Sequence, residues 1–116
     1  MAELTREEVY EIAETSRKLM LKDLTGIDLS CNKDDPDAPS LSGVNLATAY
    51  LAHANLSGAD LCNANFIKSY LYKANLRDAH LGSANLVLAD LRGTKYSWHK
   101  VARRLQPDSS RGGDGV

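Results

Sequence analysis

Acidic residues form the densest group in this sequence that could perform chemistry. Asp34, Asp35 and Asp37 stand close together, and carboxylate oxygens at such spacing bind calcium in some loops. Those loops also need a glycine at the turn and a closing glutamate, and neither stands at the required position. No metal site is therefore expected here, and the segment is interpreted as a surface loop.

The two cysteines, Cys31 and Cys62, are the thiols that the chain offers as nucleophiles or ligands. A disulfide scaffold or a structural zinc site needs more cysteine or histidine residues at tighter spacing. Both cysteines are therefore predicted to be free thiols, and no cofactor is expected.

The overall charge gives no bulk attraction to a polyanion. The 116 residues carry 14 basic and 15 acidic side chains, with a formal net charge of −1. Binding to nucleic acid or to an anionic membrane would have to be local. The apolar stretches are far shorter than the roughly 20 residues that cross a bilayer, and the acidic N-terminus lacks a signal-peptide profile. We expect one soluble cytoplasmic domain without membrane association.

A repeat of five residues governs most of the chain. Stepping by five from residue 41 reaches leucine at ten of twelve positions, with phenylalanine and tyrosine at the other two. These central positions are Leu41, Leu46, Leu51, Leu56, Leu61, Phe66, Leu71, Leu76, Leu81, Leu86, Leu91 and Tyr96. Two positions before each centre, the residue is small in nearly every repeat. A period of five matches neither an α-helix nor a β-strand.

This period is explained if the chain turns one corner every five residues. Four corners close a square coil of about 20 residues, which places Leu41, Leu61 and Leu81 above one another. Stacked coils then pair as strands about 4.8 Å apart. The large central side chain fills the axis, and the small residue two positions earlier points inward at the corner, where a second bulky group has no room.

The units at 54–58, 59–63 and 84–88 resemble the A-[DN]-L-x-x signature of the pentapeptide-repeat family. The resemblance covers residues 39–98 without a gap, which is twelve repeats or three coils. It implies an all-β solenoid, a right-handed quadrilateral β-helix of about three to four coils. Atypical units at the ends, such as the one with Tyr96, are typical of terminal repeats.

Two earlier units at 22–26 and 27–31 follow the same pattern but are two residues out of phase with the main array. The turn-forming residues that follow them predict a loop insertion at 30–38. If this loop spans a face of the coil, Leu24 lies under Leu46 and adds a partial coil.

The N-terminus predicts a helix that caps the array, with residues 1–21 as the cap and 22–98 as the repeats. Thr5 and Glu8 have the spacing of a capping box, and the helix is predicted at about 6–20. Its mainly apolar stripe consists of Val9, Ile12, Ala13, Ser16, Leu19 and Met20. Its solvated face consists of Glu7, Glu11, Glu14 and Lys18. Such a cap covers the strand edge that a coil leaves open.

A short C-terminal helix is predicted at 99–105, after Ser97 as a helix N-cap. It would cap the other end of the array. Arg103 and Arg104 near its end are interpreted as partners of the helix dipole. Residues 106–116 are rich in glycine, serine and aspartate and are predicted to be disordered.

Folding the repeats onto four faces brings exposed residues of neighbouring coils together. One face is predicted to carry an aromatic and basic cluster of the kind that is enriched at protein interfaces. Its members are Tyr50, Tyr70, Tyr72, His53, Lys73 and Arg92. The alternative is that these tyrosines only stabilise neighbouring strands by cross-strand packing.

A second face is predicted to carry an apolar strip above a ladder of asparagines. The strip consists of Ala47, Ile67, Val87 and Leu88, and the ladder of Asn45, Asn65 and Asn85. Either a tail or a self-contact covers the strip, or the strip is a partner or dimer site. The asparagines are interpreted as structural, with side-chain amides that hydrogen-bond between coils.

The other reactive residues do not assemble in this arrangement. The three histidines, His53, His80 and His99, fall on different faces or beyond the repeats, so that no pair shares a metal or serves a nucleophile. Cys31 and Cys62 map to opposite faces, which argues against a disulfide. An enzyme is not expected.

The leading hypothesis is a non-catalytic scaffold that binds an unidentified protein through its tyrosines, as a monomer or a weak homodimer. The resemblance implies an alternative, because some pentapeptide-repeat proteins imitate duplex DNA and bind DNA gyrase. Residues 39–98 carry three carboxylates against five cations, whereas a mimic of this length needs about nine carboxylates. A third interpretation is weak nucleic-acid binding through Lys68, Lys73, Arg77 and the pair Arg103 and Arg104, but these charges do not share one face.

Overall fold

The structure of the chain is a computed structural model that describes residues 2–32 and 34–96. It begins with one helix, α1 (Arg6–Glu14), which is followed by an array of short extended segments. The predicted C-terminal helix, the predicted tail, and the residues His99, Arg103 and Arg104 lie outside the described residues. Within the described part, no helix has the length and apolar character of a membrane span.

Residues twenty apart pair in parallel in the array from Asn45 onward. Strand β1 (Asn75–Leu76) pairs with strand β2 (Lys95–Tyr96), with Asn75 opposite Lys95. Single bridges of the same spacing join the other segments: Asn45 with Asn65, Tyr50 with Tyr70, Asn55 with Asn75, Asp60 with His80, Asn65 with Asn85, and Tyr70 with Asp90. The chain therefore returns to the same side of the molecule every 20 residues, in agreement with the predicted coil length.

Each five-residue unit consists of one bridge residue and one turn. The carbonyl of Leu46 accepts from the amide of Ala49 at 3.1 Å, while the amide of Leu46 donates to Asn65 in the next coil at 2.7 Å. Between them, the residue two positions after the leucine has a positive φ, +59° at Thr48 and +69° at Gly58. A four-residue turn plus one pairing residue thus accounts for the period of five.

The core is the axis of the coils. Every central residue from Leu41 to Tyr96 is at most 4 % exposed, and so is every small residue from Val44 to Thr94 that stands two positions before a centre. Pro39, the first of the predicted small positions, is exposed because the chain is only returning from the loop there. The Leu and Ala pairing therefore describes the packing of the array from residue 41 onward.

Ser69 occupies an inward position that is alanine in most repeats. Its Oγ is buried and has no hydrogen-bond partner among the described residues. A buried hydroxyl without a partner is unfavourable, so Ser69→Ala is expected to raise the free energy of unfolding by about 1 kcal/mol in urea denaturation. Ser57→Ala is the control, since the Ser57 hydroxyl donates to Asn55 Oδ1 at 2.8 Å and its loss brings no gain. A destabilised Ser69→Ala variant contradicts this prediction.

Helix α1 begins as predicted but ends earlier. The Thr5 side chain accepts from the Glu8 amide at 3.2 Å, and the Glu8 carboxylate accepts from the Thr5 amide at 2.8 Å. The helix ends at Glu14, and the prediction that it continues to Met20 is wrong. The chain has already entered the first coil there, because Lys18 bridges Asn45 in parallel. Pairing with the open edge of the array outweighs the helical pattern.

Helix α1 packs on the array through Val9, Tyr10 and Ala13, which are its buried residues. The Tyr10 hydroxyl donates to the carbonyl of Leu29 at 3.1 Å, and Arg6 donates to the carbonyl of Asp28 at 3.0 Å. Burial and the hydrogen bond with Cys31 raise the pKa of Tyr10, so that its hydroxyl keeps its proton. These contacts tie the helix to the first coil.

The register of the first coil differs from the prediction. Asp23 bridges Tyr50, and the Leu24 amide donates to the Tyr50 carbonyl at 2.7 Å, so Leu24 lies under Leu51 instead of Leu46. The reason is that the loop does not span a face. Residues 32–38 are added to a complete coil, because the chain leaves and re-enters the array at neighbouring positions.

Candidate functional site

The tyrosines predicted on one face do lie together. Tyr50 and Tyr70 occupy the same position in successive coils, where their backbones pair in parallel. Their rings are stacked, with centroids 4.9 Å apart and planes 5° apart. This separation equals the spacing of neighbouring strands, so the backbone itself sets the stack. Both side chains remain nearly half exposed.

Tyr72 brings the three predicted basic residues to the same place. The His53 ring meets the Tyr72 ring edge-on, with centroids 5.8 Å apart. Lys73 Nζ lies 5.4 Å and Arg92 Cζ lies 5.5 Å from the Tyr72 centroid. Both distances are within the range of cation–π attraction. This cluster adjoins the stacked pair, because Tyr70 and Tyr72 stand two positions apart in one coil. We call the six predicted residues together the tyrosine face: Tyr50, Tyr70, Tyr72, His53, Lys73 and Arg92.

Asp90 belongs to this surface and was missed in the sequence. It bridges Tyr70, and its carboxylate accepts from Arg92 Nε at 2.9 Å and Nη2 at 2.8 Å. This bidentate pair holds the guanidinium beside Tyr72. The hydrogen bond from Arg92 lowers the pKa of Asp90, which therefore stays ionised. The signal that was available is its position, since Asp90 stands twenty residues after Tyr70.

The far end of the tyrosine column also carries a carboxylate. Asp23 bridges Tyr50, and its Oδ1 accepts from the Thr25 hydroxyl at 2.7 Å and the Thr25 amide at 3.1 Å. These hydrogen bonds lower the pKa of Asp23. The two stacked phenols thus lie between two carboxylates, in a surface suited to recognition by hydrogen bonds and aromatic contacts.

Close backbone approach shapes the cationic edge of the tyrosine face. Gly93 has φ +71°, and a Cβ at this position would lie 2.7 Å from Lys73 Cγ. The absence of a side chain at Gly93 therefore leaves room for the Lys73 side chain to lie against the next coil. The Lys73 ammonium is held beside Tyr72 as a result.

The apolar residues of the second face lie in register, and the structure extends their strip. The bridge between Lys18 and Asn45 places Met20 and Leu21 in the coil that adjoins Ala47, and both side chains are exposed. Leu21 was not predicted on this face and Met20 was predicted in the helix, because the register of the first coil depends on the loop. With these two residues added to the four predicted ones, the apolar strip consists of Met20, Leu21, Ala47, Ile67, Val87 and Leu88.

Each asparagine of the ladder stabilises the turn that follows it in its own coil. The Oδ1 atoms of Asn45, Asn65 and Asn85 accept from the backbone amides two residues later, at 3.0, 3.0 and 3.1 Å. These bonds lie within one coil, whereas the prediction placed the amide bonds between coils. Asparagine oxygen mimics a backbone carbonyl at the start of a turn, which explains the preference for Asn or Asp at this position. Between coils, the Asn45 amide nitrogen lies 3.1 Å from Met20 Sδ.

A cavity of about 360 Å³ lies between the inserted loop and the neighbouring face. Cys31 and Cys62 both line it, so the prediction that they map to opposite faces is wrong. The cause is the register of the first coil, which places Cys31 beside the corner at Gly58. Both cysteines are free thiols.

The cavity holds reactive groups that are not activated. Burial and the neighbouring Asp60 raise the pKa of Cys62, so its thiol stays protonated and weakly nucleophilic. Burial opposes ionisation of Asp60. The Asp60 carboxylate accepts from the Ser40 hydroxyl at 2.8 Å and from the Cys62 backbone amide at 3.2 Å, and these hydrogen bonds outweigh the burial and lower the pKa of Asp60. The backbone of His80 forms a parallel bridge with that of Asp60, so His80 does not lie with His53 on the tyrosine face.

Within residues 2–32 and 34–96, no group of three or more histidine, cysteine, aspartate or glutamate side chains is arranged to hold a metal ion. Asp34, Asp35 and Asp37 are exposed on the loop. The Asp35 carboxylate instead accepts from the Asp37 amide at 2.9 Å. The loop aspartates therefore shape a turn.

Comparisons with known proteins agree on a repeat architecture. Residues 40–78 and 69–95 match the family model of pentapeptide repeats, in eight copies. No curated protein sequence matches the chain. Among solved structures, the chain is similar to a pentapeptide repeat protein from the Arabidopsis thaliana thylakoid lumen, with a TM-score of 0.57 and 24 % identity over 81 % of this chain.

The chain spans about half of that Arabidopsis protein, 53 % of its length. A pentapeptide repeat protein from Nostoc PCC 7120 is also similar, with a TM-score of 0.40 and 25 % identity over 83 % of each chain. The Arabidopsis structure supports the coil architecture described above, and the described coils extend the repeat pattern to the segment before the loop.

Proposed function

Because the chain belongs to the pentapeptide-repeat family, we propose that its coils form a right-handed, four-sided β-helix that serves as a non-catalytic scaffold for a protein partner. The tyrosine face carries this proposal. Tyr50 and Tyr70 are stacked on paired backbones, and Tyr72 is held among His53, Lys73 and Arg92. Aromatic side chains that are already ordered lose little conformational entropy when a partner binds.

The composition of the tyrosine face favours a protein partner. Tyrosine and arginine are the residues that most often dominate protein interfaces, particularly where they lie in one cluster. The face also presents hydrogen-bond donors and acceptors, since Lys73 lies beside Tyr72 and Arg92 is paired with Asp90. A partner surface with both apolar and polar groups complements this mixture.

Nucleic acid fits the tyrosine face less well. A platform for bases needs free ring faces, whereas Tyr50 and Tyr70 stack on each other. Arg92 is already paired with Asp90, and Asp23 adds a second carboxylate at the other end of the column. A mimic of DNA on gyrase is disfavoured by the excess of cations over carboxylates in the repeats.

The proposal is tested by affinity capture from the source organism's lysate with three forms of the full chain. These are the wild type, a triple variant with Tyr50→Ser, Tyr70→Ser and Tyr72→Ser, and an Arg77→Ser control on another face. Removing hot-spot tyrosines is expected to reduce recovery of a specific partner at least about 30-fold, while the control recovers it fully. Circular dichroism verifies that both variants are folded. Equal recovery by the triple variant would contradict the proposal.

A further inference from the structure

The apolar strip runs across four consecutive segments of one face. Bridges join Lys18 to Asn45, Asn45 to Asn65, and Asn65 to Asn85, so the segments 18–21, 45–48, 65–68 and 85–88 lie in register. Two outward columns result. The first column is Met20, Ala47, Ile67 and Val87, and the second is Leu21, Thr48, Lys68 and Leu88.

Stability of the single chain does not explain the residues of this strip. Leu21 is 67 % exposed with φ +64°, and Leu88 is 56 % exposed with φ +60°. The coil imposes this left-handed conformation at every equivalent corner, and glycine, as at Gly26 and Gly58, adopts it more easily than leucine. All the exposed large aliphatic side chains among the described residues lie on this strip: Met20, Leu21, Val87 and Leu88. Such clustering marks an interaction surface.

We infer that the apolar strip is the interface of a weak homodimer, whose two-fold axis runs along the strands of this face. This axis reverses the order of the four segments and keeps each column opposite itself. The resulting contacts are Leu21 with Leu88 of the partner subunit, Met20 with Val87 of the partner subunit, and Ala47 with Ile67 of the partner subunit. Large residues meet at both ends, and a small residue meets a larger one in the middle.

The register of the two columns supports a second copy as the occupant, and the positions of the charged residues allow it. Lys18 and Lys68 are the charged residues of these four segments. The axis places Lys18 opposite Asn85 of the partner subunit and Lys68 opposite Thr48 of the partner subunit, so that no two ammonium groups face each other. A two-fold axis along the coils would instead set the leucine column against the asparagine ladder. The strip is therefore self-complementary in one orientation.

The size of the strip determines the strength of the dimer. Four segments at strand spacing cover about 15 Å along the coils. Each segment contributes only two outward residues, so the strip offers less than the area of about 800 Å² per partner that stable complexes bury. The dimer is thus in equilibrium with the monomer. The tyrosine face lies outside the strip, and this inference does not depend on the proposed function.

Sedimentation equilibrium of the full chain, from about 5 µM to about 1 mM, tests the inference. The wild-type mass is expected to rise from monomer toward dimer. Leu21→Glu and Leu88→Lys are each expected to weaken the dimer at least about tenfold, because a charge then faces leucine. Arg77→Ser on another face is the control and leaves the equilibrium unchanged.

The double variant Leu21→Glu with Leu88→Lys tests the symmetry itself. Within one chain these residues lie about 14 Å apart, three segments away from each other, and do not pair. Across the two-fold axis they meet, so the double variant is expected to regain the dimer at low salt and to lose it at high salt. A wild type that stays monomeric, with the strip covered by residues 97–116 or by another protein, overturns the inference. So does a dimer that Leu88→Lys leaves intact, or a double variant without recovery.

Discussion

The Leu61→Ala variant is expected to lose about 2 to 5 kcal/mol of the free energy of unfolding. Leu61 is fully buried between Leu41 and Leu81 on the axis of the coils. The amide of Leu61 donates to His80 at 2.8 Å, and the amide of Leu41 donates to Asp60 at 2.9 Å. Because these bonds keep the coils at strand spacing, the structure cannot close around the missing side chain, and a cavity remains. Urea denaturation followed by circular dichroism measures the loss.

Leu88→Ala is the matched control for this prediction. It removes the same atoms from a leucine of the same array, but Leu88 is exposed. Its free energy of unfolding is expected to stay within about 0.5 kcal/mol of the wild type. If both variants lost the same free energy, the axis of the coils would not be the core of this protein.

The Val9→Asp variant is expected to lose at least about 3 kcal/mol of the free energy of unfolding and to aggregate on heating. Val9 is fully buried where α1 packs on the first coil, near Leu24 and Leu29, which are also buried. A carboxylate at this position must lose its water to stay in the core, or the helix must leave the array. The latter exposes an unpaired strand edge, which other chains can join. Thermal unfolding with light scattering measures both effects.

Glu11→Ala provides the control for the helix. Glu11 lies on the exposed side of α1, two residues from Val9, and its replacement is expected to change the stability by less than about 0.5 kcal/mol. An array that unfolds at the wild-type temperature in Val9→Asp, with only the helical signal lost, would show that α1 is not part of the cooperative unit.

The regular part of the array was predictable from the sequence because every unit has the same length. Leu46 and Ala49 are buried as their period requires, and the twenty-residue step brings Tyr50 onto Tyr70. The capping box at Thr5 and Glu8 was predictable because it is local. The tyrosine face followed from counting alone, since no insertion separates its members.

The turn inside each unit was not visible in the same pattern. Positive φ values recur at Thr48, Lys68 and Lys73, which are residue types without a strong preference for that conformation. The coil imposes it, because the turn must close between the central residue and the next small residue. The hydrogen bonds of the asparagine ladder follow from the same turn, so the sequence suggested a structural role but not the partner atoms.

The sequence by itself determined the repeat, the inward residues, the helix start and the members of the tyrosine face. The tertiary structure decided the end of α1, the register of the first coil, the cavity that Cys31 and Cys62 share, and the place of Met20 and Leu21 in the apolar strip. These features depend on how the loop at 32–38 leaves and rejoins the array. A repeat pattern carries no record of that choice, because two registers of the first coil bury the same leucines, and only backbone pairing between distant segments selects one of them.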